Sequence, residues 1–94
     1  MKTIDVGIAF SRYPGGRYRA DGPNSGERFR DEVLAPALGV GPVTVNLDGA
    51  VGYGSSFLEE AFGGLVRTSA FSLPVLKRNL TLASTEPSLI TEIW

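Results

Sequence analysis

The sequence contains neither cysteine nor histidine among its 94 residues. Without cysteine, a disulfide scaffold, a thiolate zinc site and a cysteine nucleophile are all excluded. Without histidine, the chain lacks the commonest general base near neutral pH and the usual ligand of transition metals. We therefore predict no metal, no cofactor and no enzymatic activity.

Strong net charge and long apolar runs are also missing. Nine basic and ten acidic residues give a formal net charge of −1, without the bulk positive field of a dedicated nucleic-acid-binding protein. No apolar run approaches the roughly 18 residues that span a bilayer, and the first residues lead into an alternating pattern instead of the apolar region of a signal peptide. We expect a cytoplasmic protein without membrane association, and the charge balance disfavours nucleic acid as a partner.

The composition that is present is typical of one small soluble domain. Apolar residues make up 43% of the chain and charged residues 20%, close to the averages for globular proteins. A chain of this length can bury a core of its own but cannot hold two domains of ordinary size. We predict a single domain over residues 1–94.

Three segments alternate with the period of two that is typical of strands: Thr3–Phe10, residues 43–48 and Leu80–Ser84. In the first segment, Ile8 is one of four apolar residues predicted to face the core. Glycine and proline just before the second segment mark its entry turn. We expect the second strand to be central in the sheet.

The first long helix is predicted to begin at Asn24. This residue and Glu27, three positions later, form the pattern of a capping box, and apolar residues then recur at helical spacing. Because proline lacks a backbone N–H, Pro36 is expected to end the helix or its last turn.

The second long helix is predicted to begin at Ser56, which forms a capping box with Glu59. Its apolar stripe continues to about Arg67. The pair Gly63–Gly64 weakens helix propensity, which suggests close approach of another backbone or a mobile stretch.

Weaker patterns complete the chain. Leu73, Val75 and Leu76 indicate one short helical turn, and Pro87 begins a terminal helix that ends at Trp94. Strands that alternate with helices predict a small α/β domain, with three or four mostly parallel strands and about three helices. So short a chain can cover mainly one face of its sheet.

The turn before the second long helix is the most informative segment. In open parallel sheets, ligands and partners engage the carboxyl ends of the strands, and Ser55 and Ser56 lie there. Ser56 can cap the helix, or it can accept a phosphate that the helix dipole favours, and both interpretations stay open. Phe57 follows directly, and we predict an exposed aromatic anchor for a partner.

The nearby carboxylates favour structural roles. Glu59 and Glu60 are adjacent on a helix and point in different directions, which does not suit a cooperating acid–base pair. We predict that Glu59 caps the helix and that Glu60 is solvated. No second carboxylate stands near Asp48 in the sequence, so we expect it to stabilise a turn instead of binding magnesium. An enzymatic serine would need activation by Lys77, which nothing in the spacing requires.

Three motifs occur in a characteristic order: Pro14–Arg17, Ser25–Arg30 and Ser55–Glu60. Together they resemble the bacterial STAS-like family of uncharacterised function, which is related to STAS domains (sulfate transporter and anti-sigma-factor antagonist). The resemblance implies a STAS-like α/β sandwich. It also implies a regulatory protein–protein interaction domain without enzymatic activity.

In STAS domains, a serine in the corresponding turn is phosphorylated by a partner kinase that doubles as an anti-sigma factor. That position matches Ser56, with Ser55 as the neighbouring candidate. Those regulators have Asp before the two serines and Gly after them, where this chain has Gly54 and Phe57. The resemblance implies a protein partner such as a histidine-kinase-like ATPase, and a homodimer also stays open. The candidate partner-binding residues are Gly54, Phe57, Leu58 and Glu60.

An arginine-rich loop offers an alternative function. Between residues 11 and 30, five arginines face two carboxylates, a local balance of +3. Guanidinium groups interleaved with tyrosines can hold a phosphate, a nucleotide or a nucleic-acid backbone, or they can pair with Glu27, Asp31 or Glu32. A small inhibitor that acts stoichiometrically by occlusion is a further alternative. The candidate anion-binding residues are Arg12, Arg17, Arg19 and Arg30.

Overall fold

A computed structural model of the chain describes residues 2–68 and 71–93. Three strands form one parallel sheet: β1 (Lys2–Asp5), β2 (Val43–Asn46) and β3 (Leu80–Ala83). Their order is β1-β2-β3, so β2 is central. The predicted parallel sheet is confirmed, with three strands in the described part of the chain.

Five helical segments lie within the described residues. They are α1 (Val6–Ala9), α2 (26–40), α3 (55–67), α4 (Leu73–Asn79) and α5 (Pro87–Ile93). Both long helices contain a wider π-helical part: α2 consists of Gly26–Phe29, the π-helical Arg30–Leu34 and Ala35–Val40, and α3 consists of Ser55–Leu58, the π-helical Glu59–Gly63 and Gly64–Arg67. A 3-10 turn, Arg19–Asp21, lies in the loop before α2.

The sheet buries one of its two faces. Ile4, Val45 and Leu82 lie side by side in the register of the three strands, and all three are buried. On the opposite face, Thr3 and Thr81 are exposed. The helices therefore cover mainly one face, as the length of the chain predicts.

The first strand is shorter than the predicted segment Thr3–Phe10. It ends at Asp5, whose carboxylate accepts a hydrogen bond from the backbone N–H of Ile8 at 3.3 Å and thereby caps α1. Val6 stays in the core, whereas Ile8 is 87% exposed. The prediction was wrong because a side-chain cap competes with the strand for the backbone donors.

The cap of α2 lies one residue later than predicted. The Ser25 hydroxyl accepts a hydrogen bond from the backbone N–H of Arg28 at 3.2 Å, so the helix begins at Gly26. Asn24 instead donates its side-chain amide to the carbonyl of Tyr13 at 3.3 Å. The cap residue is wrong by one position, but the predicted helix is present.

Pro36 does not end α2, which continues to Val40. In the preceding π-helical part, the Ala35 N–H bonds to the carbonyl of Arg30, five residues earlier. A proline in a regular α-helix clashes with the carbonyl four residues before it. The wider π-helical turn relieves this conflict, and the helix passes through the proline.

The remaining elements agree with the sequence. α4 contains the predicted short turn with Leu76 buried, β3 covers most of the predicted Leu80–Ser84, and α5 begins at Pro87. The predicted helix end at Trp94 lies outside the described residues.

α2 and α3 meet at backbone distance where α2 begins. A Cβ atom on Gly26 would lie 2.5 Å from the Phe57 carbonyl oxygen and 3.1 Å from the Ala61 nitrogen. The rings of Phe29 and Phe57 pack beside this contact, with centroids 5.9 Å apart. This close approach fixes the position of the start of α3.

We predict that Gly26→Ala lowers the free energy of unfolding by about 1–3 kcal/mol, because the added methyl group overpacks a backbone contact. Gly39→Ala is the matched control, since a Cβ on this helical glycine meets nothing within 4 Å. It should stabilise the protein by about 0.5–1 kcal/mol through helix propensity. Urea unfolding of both variants measures the difference, and equal effects would refute the close contact.

Candidate site at the turn between β2 and α3

Asp48 joins the carboxyl ends of β2 and β3. Its carboxylate accepts hydrogen bonds from the Thr85 backbone N–H at 3.0 Å and from the Ser84 hydroxyl at 3.1 Å. The hydrogen bond from the Thr85 backbone is the main cause that lowers the pKa of Asp48, and the side chains of Ser84 and Thr85 add to it. The predicted turn-stabilising role of Asp48 is confirmed.

Tyr53 holds the middle of the segment 49–56 to the core. We call this segment, which includes the first two residues of α3, the β2–α3 turn. The Tyr53 hydroxyl donates to the Leu47 carbonyl at 2.7 Å, and burial raises its pKa, with smaller contributions from the charges of Asp5 and Asp48. The Val51 N–H bonds to the Arg12 carbonyl at 2.7 Å. The turn is thus fixed at several points, while the Val51 side chain stays 66% exposed.

Ser55 and Ser56 are exposed at the start of α3. The N-cap residue is Gly54, which provides no side-chain cap. No hydrogen bond joins either hydroxyl to another part of the described chain. The predicted capping box of Ser56 and Glu59 is therefore wrong, and the fold gives neither hydroxyl a structural role.

Phe57 is not an exposed anchor, which corrects the prediction. It is 1% exposed, and its ring lies 5.9 Å from Phe29, 6.2 Å from Phe10 and 5.9 Å from Tyr53 between centroids. Leu58 is buried as well. The apolar stripe of α3 begins at these two residues, which lie on the side of the helix that faces the core, whereas the two serines lie on the exposed side.

Glu60 is buried and not solvated, which also removes it as a partner-binding residue. It forms an ion pair with Arg30, and both side chains are almost fully buried. The Arg30 guanidinium also donates to the Glu60 carbonyl at 3.4 Å and to Asp31 at 2.9 Å. Burial alone would lower the pKa of Arg30, but its hydrogen bonds to Asp31 and Glu60 raise it. Arg30 is therefore engaged inside the protein and does not belong to an exposed anion site.

Three more charged residues surround this pair. Glu59 forms ion pairs with Arg17 and Arg67, and Arg67 also contacts Glu60 at 2.9 Å. Hydrogen bonds from Arg17 and then Arg67 lower the pKa of Glu59. We call Arg17, Arg30, Glu59, Glu60 and Arg67 the charge cluster.

The two glycines of α3 make room for the charge cluster. A Cβ atom on Gly63 would overlap the Glu59 carboxylate, and one on Gly64 would overlap the Arg30 guanidinium. The sequence predicted close approach of another backbone or a mobile stretch. The neighbours are instead charged side chains.

The arginine-rich loop is paired with carboxylates. Arg19 lies 3.3 Å from Asp31, 3.6 Å from Glu32 and 3.8 Å from Glu27, which confirms the predicted pairing. In the described part of the chain, Arg12 forms no ion pair. Three of the four candidate anion-binding residues thus have internal partners.

The three sequence motifs meet in the charge cluster. Pro14–Arg17 contributes Arg17, Ser25–Arg30 contributes Arg30, and Ser55–Glu60 contributes both glutamates. Backbone hydrogen bonds join the first two motifs, from Gly26 N–H to the Gly16 carbonyl at 2.9 Å and from Glu27 N–H to the Arg17 carbonyl at 3.0 Å. Arg67 lies outside the three motifs and is not among the residues predicted from the sequence. Its spacing of seven residues from Glu60 along one helix was the available signal.

Residues 25–88 match the family described as STAS-like domain of unknown function (DUF4325), which is more than half of the chain. The chain belongs to this family. Two of the three motifs of the STAS-like domain lie within the match, and Pro14–Arg17 precedes it. Comparison with curated proteins and with solved structures gives no match.

Within the described ranges, no helix of the STAS-like domain has the length and apolarity needed to cross a bilayer. The same ranges contain no cluster of three or more acidic side chains that could hold a metal ion.

We predict that Glu60→Gln lowers the free energy of unfolding by about 3–5 kcal/mol, because it leaves the Arg30 charge buried without its partner. Chemical unfolding at neutral pH measures this loss. Glu86→Gln is the control, since Glu86 is exposed and forms no ion pair with the described residues; it should change stability by less than about 0.5 kcal/mol. The double variant Arg30→Met/Glu60→Met should recover much of the lost unfolding free energy. A loss in Glu60→Gln as small as that in Glu86→Gln would refute the buried ion pair of Arg30 and Glu60.

We also predict a pH-dependent contribution of Glu59. Its folded-state pKa lies below its ordinary value of 4.5, so its ion pairs stabilise the domain fully above that value. The contribution is lost as the pH falls through the lower pKa of the folded state. The difference in unfolding free energy between wild type and Glu59→Gln should be constant near neutral pH and shrink on acidification below about 4.5. A difference that grows in acid would contradict the assignment.

Proposed function

We propose that this STAS-like domain is a non-enzymatic regulator that binds a protein partner through the β2–α3 turn. We further propose that phosphorylation of Ser56, with Ser55 as the neighbouring candidate, controls this binding. The observation that carries the proposal is the pair of exposed hydroxyls at the start of α3, neither of which is hydrogen-bonded within the described chain.

Two properties of the helix start support phosphorylation there. The first backbone N–H groups of α3 have no side-chain cap, and the amino end of a helix favours negative charge. A phosphate would add nearly two negative charges on the surface without entering the core. The modification is therefore compatible with the fold.

The proposed partner surface consists of Val51, Gly52, Gly54, Ser55 and Ser56, which are exposed. It replaces the buried Phe57, Leu58 and Glu60 of the sequence prediction. Beside Val51 lies a groove of about 280 Å³ that includes Glu86 and Leu89 of the following segment. A phosphate on Ser56 would add negative charge to the same proposed surface as the apolar Val51 and would oppose an apolar partner contact by desolvation and charge, which is how the modification would control binding.

The partner we propose is a histidine-kinase-like ATPase, the class that the STAS resemblance implies. A catalytic role for the serines has less support, because a serine nucleophile needs a base within hydrogen-bond reach and neither hydroxyl has one in the described ranges. Anion binding by the arginine-rich loop has less support too, since Arg17, Arg19 and Arg30 are already paired with carboxylates.

The test first searches the neighbouring genes for a histidine-kinase-like ATPase and then combines that protein with the purified domain and ATP. Intact-protein mass spectrometry should find one phosphate on wild type and on Ser55→Ala, and none on Ser56→Ala. Ser56→Asp and Val51→Asp should each weaken partner binding at least about tenfold, or ~1.4 kcal/mol, as measured by calorimetry.

Val66→Asp is the control, because Val66 is an exposed valine at the other end of α3 and should not affect binding. Full binding by both Ser56→Asp and Val51→Asp would refute the proposed surface. Binding that needs Val51, together with no phosphate on the wild type after incubation with the ATPase and ATP, would instead favour the stoichiometric inhibitor.

A further inference from the structure

A second surface lies in a groove of about 710 Å³ between the β1 edge and α2. Most of the residues that line it are apolar, and they come from α1, from α2 and from the loop that leads into β2. They include Ala9, Val33, Pro36, Val40 and Pro42.

The most exposed large apolar side chains of the domain adjoin this groove. Val40 lines it and is 92% exposed. Ile8 is 87% exposed and directly precedes Ala9, which also lines the groove. Single exposed apolar residues are ordinary on protein surfaces, but several around one concave apolar surface are typical of interfaces.

Charges of opposite sign also lie in the groove. Lys2 stands on β1, the edge strand of the sheet, and it forms no ion pair with any described residue. Glu32 lies on α2, where it contacts Arg28 at 3.2 Å and Arg19 at 3.6 Å. In a twofold interface, a residue i of one copy contacts residue j of the other and j contacts i, so a positive and a negative side chain on one groove can each meet the opposite charge of the second copy.

We infer that this groove binds a second copy of the same chain, with Lys2 of each copy against Glu32 of the other. In a dimer with a twofold axis, this ion pair forms twice, and Val40 of both copies lies enclosed in the apolar centre. Neither contact involves residues of the β2–α3 turn.

This dimer does not depend on the proposed function. Lys2 and Pro42 lie at the amino ends of parallel strands β1 and β2, whereas the β2–α3 turn follows the carboxyl end of β2. The two surfaces share no residue, so a dimer can bind a partner at each turn.

The test is the oligomeric state measured by analytical ultracentrifugation at neutral pH and low salt. Wild type should be a dimer. Lys2→Glu and Glu32→Lys should each weaken the dimer at least tenfold, because each places like charges against one another at both contacts. The double variant, and an equimolar mixture of the two single variants, should restore it, since both arrangements bring opposite charges together again.

Valine variants test the apolar centre. Val40→Asp should be monomeric, while Val51→Asp, with an exposed valine outside the groove, should remain a dimer. Wild type that stays monomeric at about 1 mM chain would overturn the inference, because a Kd below that value would populate the dimer. A dimer that survives Val40→Asp and both charge reversals would place the interface elsewhere and overturn it as well. The equimolar mixture contains only the two single variants. If it forms a dimer, both variants are folded, so misfolding cannot explain the loss of the dimer in each variant alone.

Discussion

The buried ion pair of Arg30 and Glu60 determines how α2 and α3 pack against each other. Either charge alone would be costly to bury, so each helix requires the other in one register. Both residues lie in π-helical parts of their helices, a conformation that is rare and found mostly where the surrounding contacts support it. Gly26 and Gly64 complete the arrangement, because a side chain at either position would occupy the space of the neighbouring helix or of the guanidinium.

This packing explains what the family motifs of the STAS-like domain do. They contribute four of the five residues of the charge cluster, and their glycines allow the close approach of the loop, α2 and α3. In this domain, the three motifs therefore serve mainly to pack two helices on a sheet. The exposed serines are the part of the motifs that the fold does not use. The proposed function rests on these serines, whereas the packing rests on the charged residues and the glycines.

The two proposed surfaces occupy different parts of the domain. The carboxyl edge carries the β2–α3 turn, which Asp48 and Tyr53 hold in place from within. The apolar groove beside β1 reaches from Lys2 and Pro42 at the amino ends of the strands to Ala9 in α1. It shares no residue with the turn, and Phe29 and Phe57 pack in ring contact in the core. The proposed partner binding and the proposed self-association therefore do not compete for the same residues.

The sequence by itself determined the features that depend on neighbouring residues. Local pattern and charge predicted the strands β2 and β3, the parallel α/β order, the role of Asp48 and the pairing of Arg19, although β2 ends at Asn46 and β3 at Ala83, before the predicted segments end. Only the tertiary structure decided that Asp5 ends β1, that Phe57 faces the core and that Glu60 is buried. Periodicity shows that a helix has an apolar side, but where that side begins depends on the element it meets. Arg30 and Glu60 are 30 positions apart, and no local pattern links two charges that become partners only when the helices pack.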